Sequence, residues 1–450
     1  MLSPTLRLAA LLAAALVCGC AGHSERTKAA RTALDVGQPK RALAQLNEEL
    51  DVESAEKLPA AIGGDQILLV LDRAMVLQAL ERFALSSRDL EAADKQVEVL
   101  DFSRSTLDDI GQYVFSDDTG PYRAPPYEKL LINTMGMLNY LARGDLNGAR
   151  IEARRFATMQ KFISEHEDQG ASMQGPGSYL AGFTFEKSNR PSEALRYYDE
   201  ALQFGRYQTL VDPVQRLAKR DSYRTPRLSE LIGDEGLQTP DASDAPEDAA
   251  GEVLVVVNYG RVPAKIAKRV PIGLALTLAA AHMPPSSARK ANYLAAQGLV
   301  TWVNYPTLGK PRGTYGVPEF FIDQRQLPLE GLLAVDVEAR KAWKEVEGRV
   351  VASAITRMIT RVVAGETTRR AAGGGVVGAL LSLGTQATMT AVDTPDTRSW
   401  ATLPARIAVG RLRVPPGKHV IRVRVRGIEK RQEVDVPPGG WVVVPLTVLR

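Results

Sequence analysis

Hydrophobic positions follow two different rhythms along this chain, and the change falls near its middle. In the first half, apolar residues recur three and four apart, the spacing of one helix face. The clearest stretch is 127–205, which reads as two helix-turn-helix units. In the second unit Tyr179, Gly182, Phe183 and Phe185 fall on one helix, and Asn189 and Pro191 mark a turn. Ala194, Leu195, Tyr198, Ala201 and Leu202 then repeat at helical spacing. Asn tolerates the left-handed conformation that ends a helix, and Pro opens the next one without losing a needed N–H. Gly182 and Ala194 let the two backbones approach closely. Nearer the N-terminus, Leu34, Gly37, Pro39, Ala42, Leu43, Leu46 and Leu50 predict a helix end, a turn and a second helix, and a weaker unit runs over 67–94.

In the second half the rhythm shortens. Val253 to Val257 form a continuous apolar run of strand length, closed by Asn258, Tyr259 and Gly260, which predicts a buried strand. Further strands are predicted around 299–305 and 319–322, with a helix over 287–297. From Asp336 a long helix carries Val346, Val350, Val351, Ala354, Ile355 and Met358 along one stripe. Near the end, Ile421, Val423 and Val425 alternate with Arg422, Arg424 and Arg426, the period of a half-buried strand. Val414-Pro415-Pro416-Gly417 recurs as Val436-Pro437-Pro438-Gly439, each copy a turn before an apolar strand. Arg411 and Arg413 extend the same arginine face.

The expected fold class is therefore α+β and multidomain. Irregular helical hairpins come first, then a mixed α/β region with a long helix, then a C-terminal antiparallel β-sheet. Between the halves, 233–251 is acidic and poor in large apolar residues, the composition of a linker. The expected divisions are 20–232 helical, 233–251 linker, 252–404 mixed, and 405–450 a small sheet module. The stretch 371–392 has no charge and holds Gly374 and Gly378 four apart, but its glycines and hydroxyls favour a buried or flexible hairpin over a membrane-inserting helix.

Composition narrows the function. At 450 residues, 45% apolar and 24% charged, the chain has ample material for a core. A net charge of +4 over this length is no footprint for nucleic acid. The only cysteines, Cys18 and Cys20, lie near the N-terminus, so the body holds no disulfide framework and no thiolate zinc site. His23, His166, His282 and His419 are scattered without metal-sharing spacing, and no metal or cofactor site is expected. Asp117 and Asp118 read as a solvated turn rather than a calcium loop, and Glu165 and Glu167 as a helix end. There is no phosphate loop, nucleophile elbow or HExxH, so no catalytic residue is assigned.

Two resemblances add to this. Arg7, the apolar run 8–19 and Val17-Cys18-Gly19-Cys20 resemble the signal and lipobox of bacterial lipoproteins. That resemblance implies a signal peptide over 1–19 and acylation at Cys20, and Ala21 in the next position implies transfer to the outer membrane. The second concerns the hairpins. Gly37 stands five residues before Ala42, Gly144 five before Ala149, and Asn189 five before Ala194. This grammar resembles the tetratricopeptide repeat, with Tyr140 and Phe185 at its first-helix aromatic, Gly182 at its small first-helix position and Ala201 at its second-helix alanine. The spacing from Ala42 to Ala149 departs from the usual period of about 34 residues.

Together, 121–131, 251–265 and 396–404 resemble a family of bacterial tetratricopeptide-type outer-membrane lipoproteins, in which Asp396-Thr397-Arg398-Ser399-Trp400 leads through Leu403 and Pro404 into the final sheet. The implied function is a lipid-anchored scaffold on the outer membrane, facing the periplasm, that binds a protein partner through its helical hairpins. The alternatives are a cell-wall-active hydrolase, whose carboxylates would come from distant residues, and an envelope structural protein binding an acidic polymer through its C-terminal sheet. Asp396 and Arg398 read as the lock of a domain junction or as a site.

Overall fold

The computed structural model describes residues 23–102, 122, 124–166, 171–233, 250–298, 302–310, 315–371 and 395–450. Cys18 and Cys20, Asp117 and Asp118, nearly all of the acidic linker and the uncharged stretch beyond Ala371 lie outside them, as do the side chains of Glu165 and His166.

The chain folds as an α+β protein. Its helical part is α1 (His23–Arg26), α2 (Lys28–Asp35), α3 (Pro39–Glu49), α4 (Gln66–Ala79), α5 (Phe83–Phe102), α6 (Pro126–Ala142), α7 (Leu146–His166), α8 (Gly175–Lys187), α9 (Pro191–Ala201), α10 (Val211–Ala218) and α11 (Pro226–Gly233). Four pairs, α2/α3, α4/α5, α6/α7 and α8/α9, are each joined by three residues. The four turns are built alike. The middle residue is left-handed in every case: Gly37 (φ 72°), Glu81 (φ 61°), Gly144 (φ 69°) and Asn189 (φ 57°). The following N–H reaches back to the helix, as in Gln38 to the Ala33 carbonyl, Arg82 to Leu77, Asp145 to Tyr140 and Arg190 to Phe185. This is the Schellman closure, which satisfies carbonyls that a helix end leaves open. Five residues after the left-handed position stand Ala42, Ser86, Ala149 and Ala194, all fully buried between helices.

Glycine also sets how closely the helices approach. A Cβ at Gly182 on α8 would lie 2.4 Å from the Tyr198 ring on α9. One at Gly148 would lie 2.2 Å from Tyr140, and one at Gly177 2.1 Å from Phe156. Each ring fills the space that the missing side chain leaves.

The strands are β1 (Gly251–Tyr259), β2 (Lys265–Pro271), β3 (Trp302–Leu308), β4 (Glu319–Ile322), β5 (Arg325–Leu327), β6 (Glu330–Ala334), β7 (Arg406–Val414), β8 (Gly417–Val425), β9 (Ile428–Val436) and β10 (Trp441–Val448). They are joined by α12 (Ile272–Ala279), α13 (Pro285–Ala296) and the long α14 (Val335–Ala371). One sheet runs β10-β1-β7-β6, a second runs β5-β4-β8-β9, and β2 pairs with β3 alone. All pairings are antiparallel except β1 with β10. The Val-Pro-Pro-Gly turns carry the chain from one sheet to the other, from β7 to β8 and from β9 back to β10. Proline cannot donate to a ladder, so each turn ends a strand's pairing and frees the chain to cross.

The expected boundary at 404/405 does not separate two bodies, because β1 lies between β7 and β10 in one sheet. Its odd residues Val253, Val255 and Val257 pack into the sandwich with Phe320, Ile421 and Val423 of the second sheet. Its even residues Leu254 and Val256 join the helical core with Leu71, Met135 and Phe183. Every residue of β1 is buried. The molecule is thus a stack of helices, sheet and sheet, with a side lobe of β2, β3, α12, α13 and α14 around its own core.

Gly182→Ala should lower stability by about 1–3 kcal/mol, because the new methyl meets Tyr198 inside a packed pair. Gly63→Ala, where a Cβ meets nothing within 4 Å, should stay within about 0.5 kcal/mol of wild type. Urea unfolding of both variants reads the difference.

Candidate functional site

The helical layer is pinned to the sheet at both ends of β1. At one end, Arg411 of β7 projects toward the helices rather than along an outer arginine face. The register explains why: Leu254 pairs with Arg411 and Glu252 with Arg413, so these arginines share the side of β1 that faces the helices. The expected basic face is therefore divided between two sheets, with Arg422 and Arg424 on the second, where both guanidiniums lie over Phe321. Arg411 donates to both Glu186 oxygens at 2.8 and 2.7 Å, to Glu252 at 2.5 Å and to the Tyr198 hydroxyl at 2.9 Å. Its guanidinium also lies 4.9 Å from the Phe183 ring centre. Burial alone would raise Glu186, but Arg411, with Lys187 and Arg216 nearby, holds that carboxyl at about 2. Glu252 is held low by the same cations against its own burial.

At the other end a chain of amides crosses from helix to sheet. Asn258 Nδ2 donates to Gln78 Oε1 at 3.0 Å, and Thr447 Oγ1 donates to the same oxygen at 2.9 Å. Gln78 Nε2 donates to Asn139 Oδ1 at 2.9 Å, Asn139 Nδ2 to Ser86 Oγ at 2.9 Å, and Ser86 Oγ to the Ala74 carbonyl at 2.7 Å.

The segment 395–404 is a lock. Trp400 is wholly buried in the helical core and its backbone N–H donates to Glu128 at 3.4 Å. Thr402 donates to Asp72 through its N–H at 3.1 Å and its hydroxyl at 2.7 Å. Arg398 is fixed by Asp396 at 2.9 Å and by Asp65 at 3.4 Å. Burial pushes Glu128 up to about 7 despite the Tyr122 hydroxyl that donates to it. His23 is buried with its Nε2 3.4 Å from Asp72 Oδ2. His419 is bonded to Asp323 and to the Pro415 carbonyl. Among the described residues no group of three His, Cys, Asp or Glu is placed to hold a metal.

The surface opens between α7, α8 and α9, in a cleft of 480 Å³. Phe185 and Tyr197 stack face to face there, ring centres 5.3 Å apart and planes within 5°. Arg190 lies 5.2 Å over the Phe185 ring and pairs with Glu193. Deeper in, the Gln160 amide donates to Gln174 at 3.2 Å, to Ser178 at 3.0 Å and to Glu200 at 3.4 Å. Burial raises the Glu200 carboxyl above its ordinary range. Arg154 and Arg196 stand exposed on the lining. The cleft thus brings together a planar aromatic pair, guanidiniums and shared amides, and both Glu193 and Glu200 are engaged by neighbours.

Of the hairpin positions singled out in the sequence, Phe185 alone lines this cleft. Ala42, Ala149, Gly182, Ala194 and Ala201 are buried between helices, and half-buried Tyr140 donates to Glu91. Tyr197, Arg190 and Gln160 were not legible as a site, since each is an ordinary residue of a helix or turn until α7 and α9 come together.

Replacing Arg411 with Met should destabilise the fold by about 3–5 kcal/mol, since it leaves Glu186 and Glu252 buried without their main partner. Because the folded Glu186 carboxyl titrates at about 2, wild type should lose this stabilisation as pH falls from about 4.5 toward 2. The Met variant should instead gain stability on acidification. Glu128 has the opposite sign: its folded value of about 7 means that stability declines as pH rises from about 4.5 to 7. Glu152, also raised by burial to about 7, adds to that slope, so Glu128→Gln should make it shallower without abolishing it. Unfolding curves across pH measure all three. Comparison of the chain with known protein families, with curated proteins and with solved structures finds no match.

Proposed function

We propose that this chain is an envelope scaffold that holds a protein partner on its helical hairpins, anchored to the outer membrane through acylated Cys20 and facing the periplasm. The observation that carries this reading is the cleft between α7, α8 and α9, where the stacked Phe185 and Tyr197 lie beside Arg190. A volume of 480 Å³ suits a few side chains of an extended segment. The aromatic pair takes an apolar or aromatic side chain of the partner, and Arg154 and Arg196 favour acidic neighbours in it. Four hairpins clamped to a sheet supply a rigid frame, which lowers the entropic cost of binding.

The test is crosslinking in intact cells, with mass spectrometry of what copurifies. Tyr197→Ala combined with Arg190→Glu should weaken capture of the partner by 30-fold or more, the loss of about 2 kcal/mol typical of a central contact. Its melting temperature should change little, since both side chains are only half-buried. Ala194→Trp, at a fully buried position, should lose both the partner and about 1–3 kcal/mol of stability. Equal capture by wild type and the double variant would sink the cleft as the binding site. Cys20→Ala should stop incorporation of a clickable fatty acid and release the chain from sedimenting membranes.

A further inference from the structure

The side lobe carries an unusual distribution of charge and apolar surface. Between Glu252 and Glu319 the sequence contains no Asp or Glu, yet it holds eight Lys and Arg, within a chain whose totals of 56 and 52 are nearly balanced. This span supplies β2, α12, α13 and β3. The helix α12 is apolar on both sides. Ile272, Ala275 and Ala279 pack into the lobe core, while Leu274 on the other side is 49% exposed. A helix that is hydrophobic all round is ordinarily covered on every side, and the outer side of this one stands half exposed at Leu274.

The neighbouring strand extends the same surface. β2 runs straight into α12 at Pro271, and Pro271 pairs with Trp302 across the hairpin. Trp302 is 44% exposed, with the Arg269 guanidinium 5.3 Å from its ring centre. Lys268, the preceding residue of β2, points to the other face of the hairpin, over the Tyr305 ring, so Arg269 is the cation of β2 that shares a face with Trp302. An exposed Trp, an apolar helix half exposed on its outer side and a basic stretch of chain with no acid of its own are the three components of a protein face that sits in a lipid headgroup layer. Nucleic acid would use the cations and the ring but would leave Leu274 in water. Among the described residues no helix is long and apolar enough to cross a membrane, so this is a contact in the plane of the surface.

We infer that the corner formed by β2, α12 and Trp302 binds the surface of an anionic bilayer. The contact is separate from the cleft and from acylation at Cys20. It brings the lobe against the headgroups, with Leu274 and Trp302 inserted at the acyl boundary and Arg269 among the phosphates.

The experiment uses the full chain with Cys20→Ser, so that no acyl group contributes, and sedimentation with vesicles of phosphatidylcholine with or without phosphatidylglycerol. Binding should require phosphatidylglycerol and fall as salt rises. Charge reversal in Arg269→Glu should weaken it by about 10-fold or more, with unchanged circular dichroism. Brominated lipid should quench wild-type tryptophan fluorescence more than that of Trp302→Phe, a direct reading of depth that no folding defect mimics. Three outcomes overturn the proposal: equal binding by the charge-reversed chain, no difference in quenching between wild type and Trp302→Phe, or tighter binding to a single-stranded oligonucleotide than to the vesicles. Failure of maleimide to label Leu274→Cys in the free chain would also overturn it, since the face would then be covered by protein, such as the uncharged stretch 371–392.

Discussion

Burial of β1 on both faces is the constraint on which the rest of the structure depends. A strand flanked by two others and covered above and below has no solvent-facing side, so each of its residues needs a partner. Val253, Val255 and Val257 find theirs in the second sheet, and Leu254 and Val256 in the helices. The helical face of the strand ends in Glu252 on one side and Asn258 on the other. Those two meet Arg411 and Gln78, which makes the apolar contact between layers directional. Apolar packing alone would tolerate a slide of the helices along the sheet. A slide would strand a buried charge at one end and break the amide chain at the other, and unpaired buried groups are the costly outcome.

The hairpins add a second level of constraint, local in origin. The same three-residue closure occurs four times, and a left-handed residue makes it possible each time. Glu81 shows that glycine is not required: a penalty of roughly 1 kcal/mol for a left-handed non-glycine residue is offset by the carbonyls its turn satisfies. The aromatic rings set over Gly148, Gly177 and Gly182 then fix the distance between helices, and with it the geometry of the cleft beside α9. Phe185 and Tyr197 stack because α8 and α9 are held at that spacing.

The buried ionisable groups fall into two kinds. Glu186 and Glu252 are kept charged by Arg411, which makes the layer contact specific and sensitive to acid. Glu128 and Glu152 are lifted toward neutrality by burial, Glu128 beneath the lock made by Trp400 and Thr402. The first kind favours folding near neutral pH and the second opposes it, so the same core contains carboxylates with opposite effects on stability.

Much of the secondary structure was legible in the sequence because it is encoded by neighbours. The turns at Gly37, Gly144 and Asn189, the strand at Val253 to Val257, the long helix after Asp336 and the alternation from Ile421 to Val425 all rest on spacing within a few residues. The α+β character follows from them. What only the tertiary structure decided is which segments share a sheet and which face of each strand is covered. Arg411 and Arg422 look alike in sequence, each alternating with apolar neighbours, yet one is buried against Glu186 and the other lies over Phe321. Nothing near either residue distinguishes them, because the difference arises from the register of β7 on β1, set by residues some 150 positions away. The cleft has the same origin. Phe185 was marked by its repeat position, but Tyr197, Arg190 and Gln160 become a surface only when three helices meet, and sequence periodicity carries no record of which helices those are.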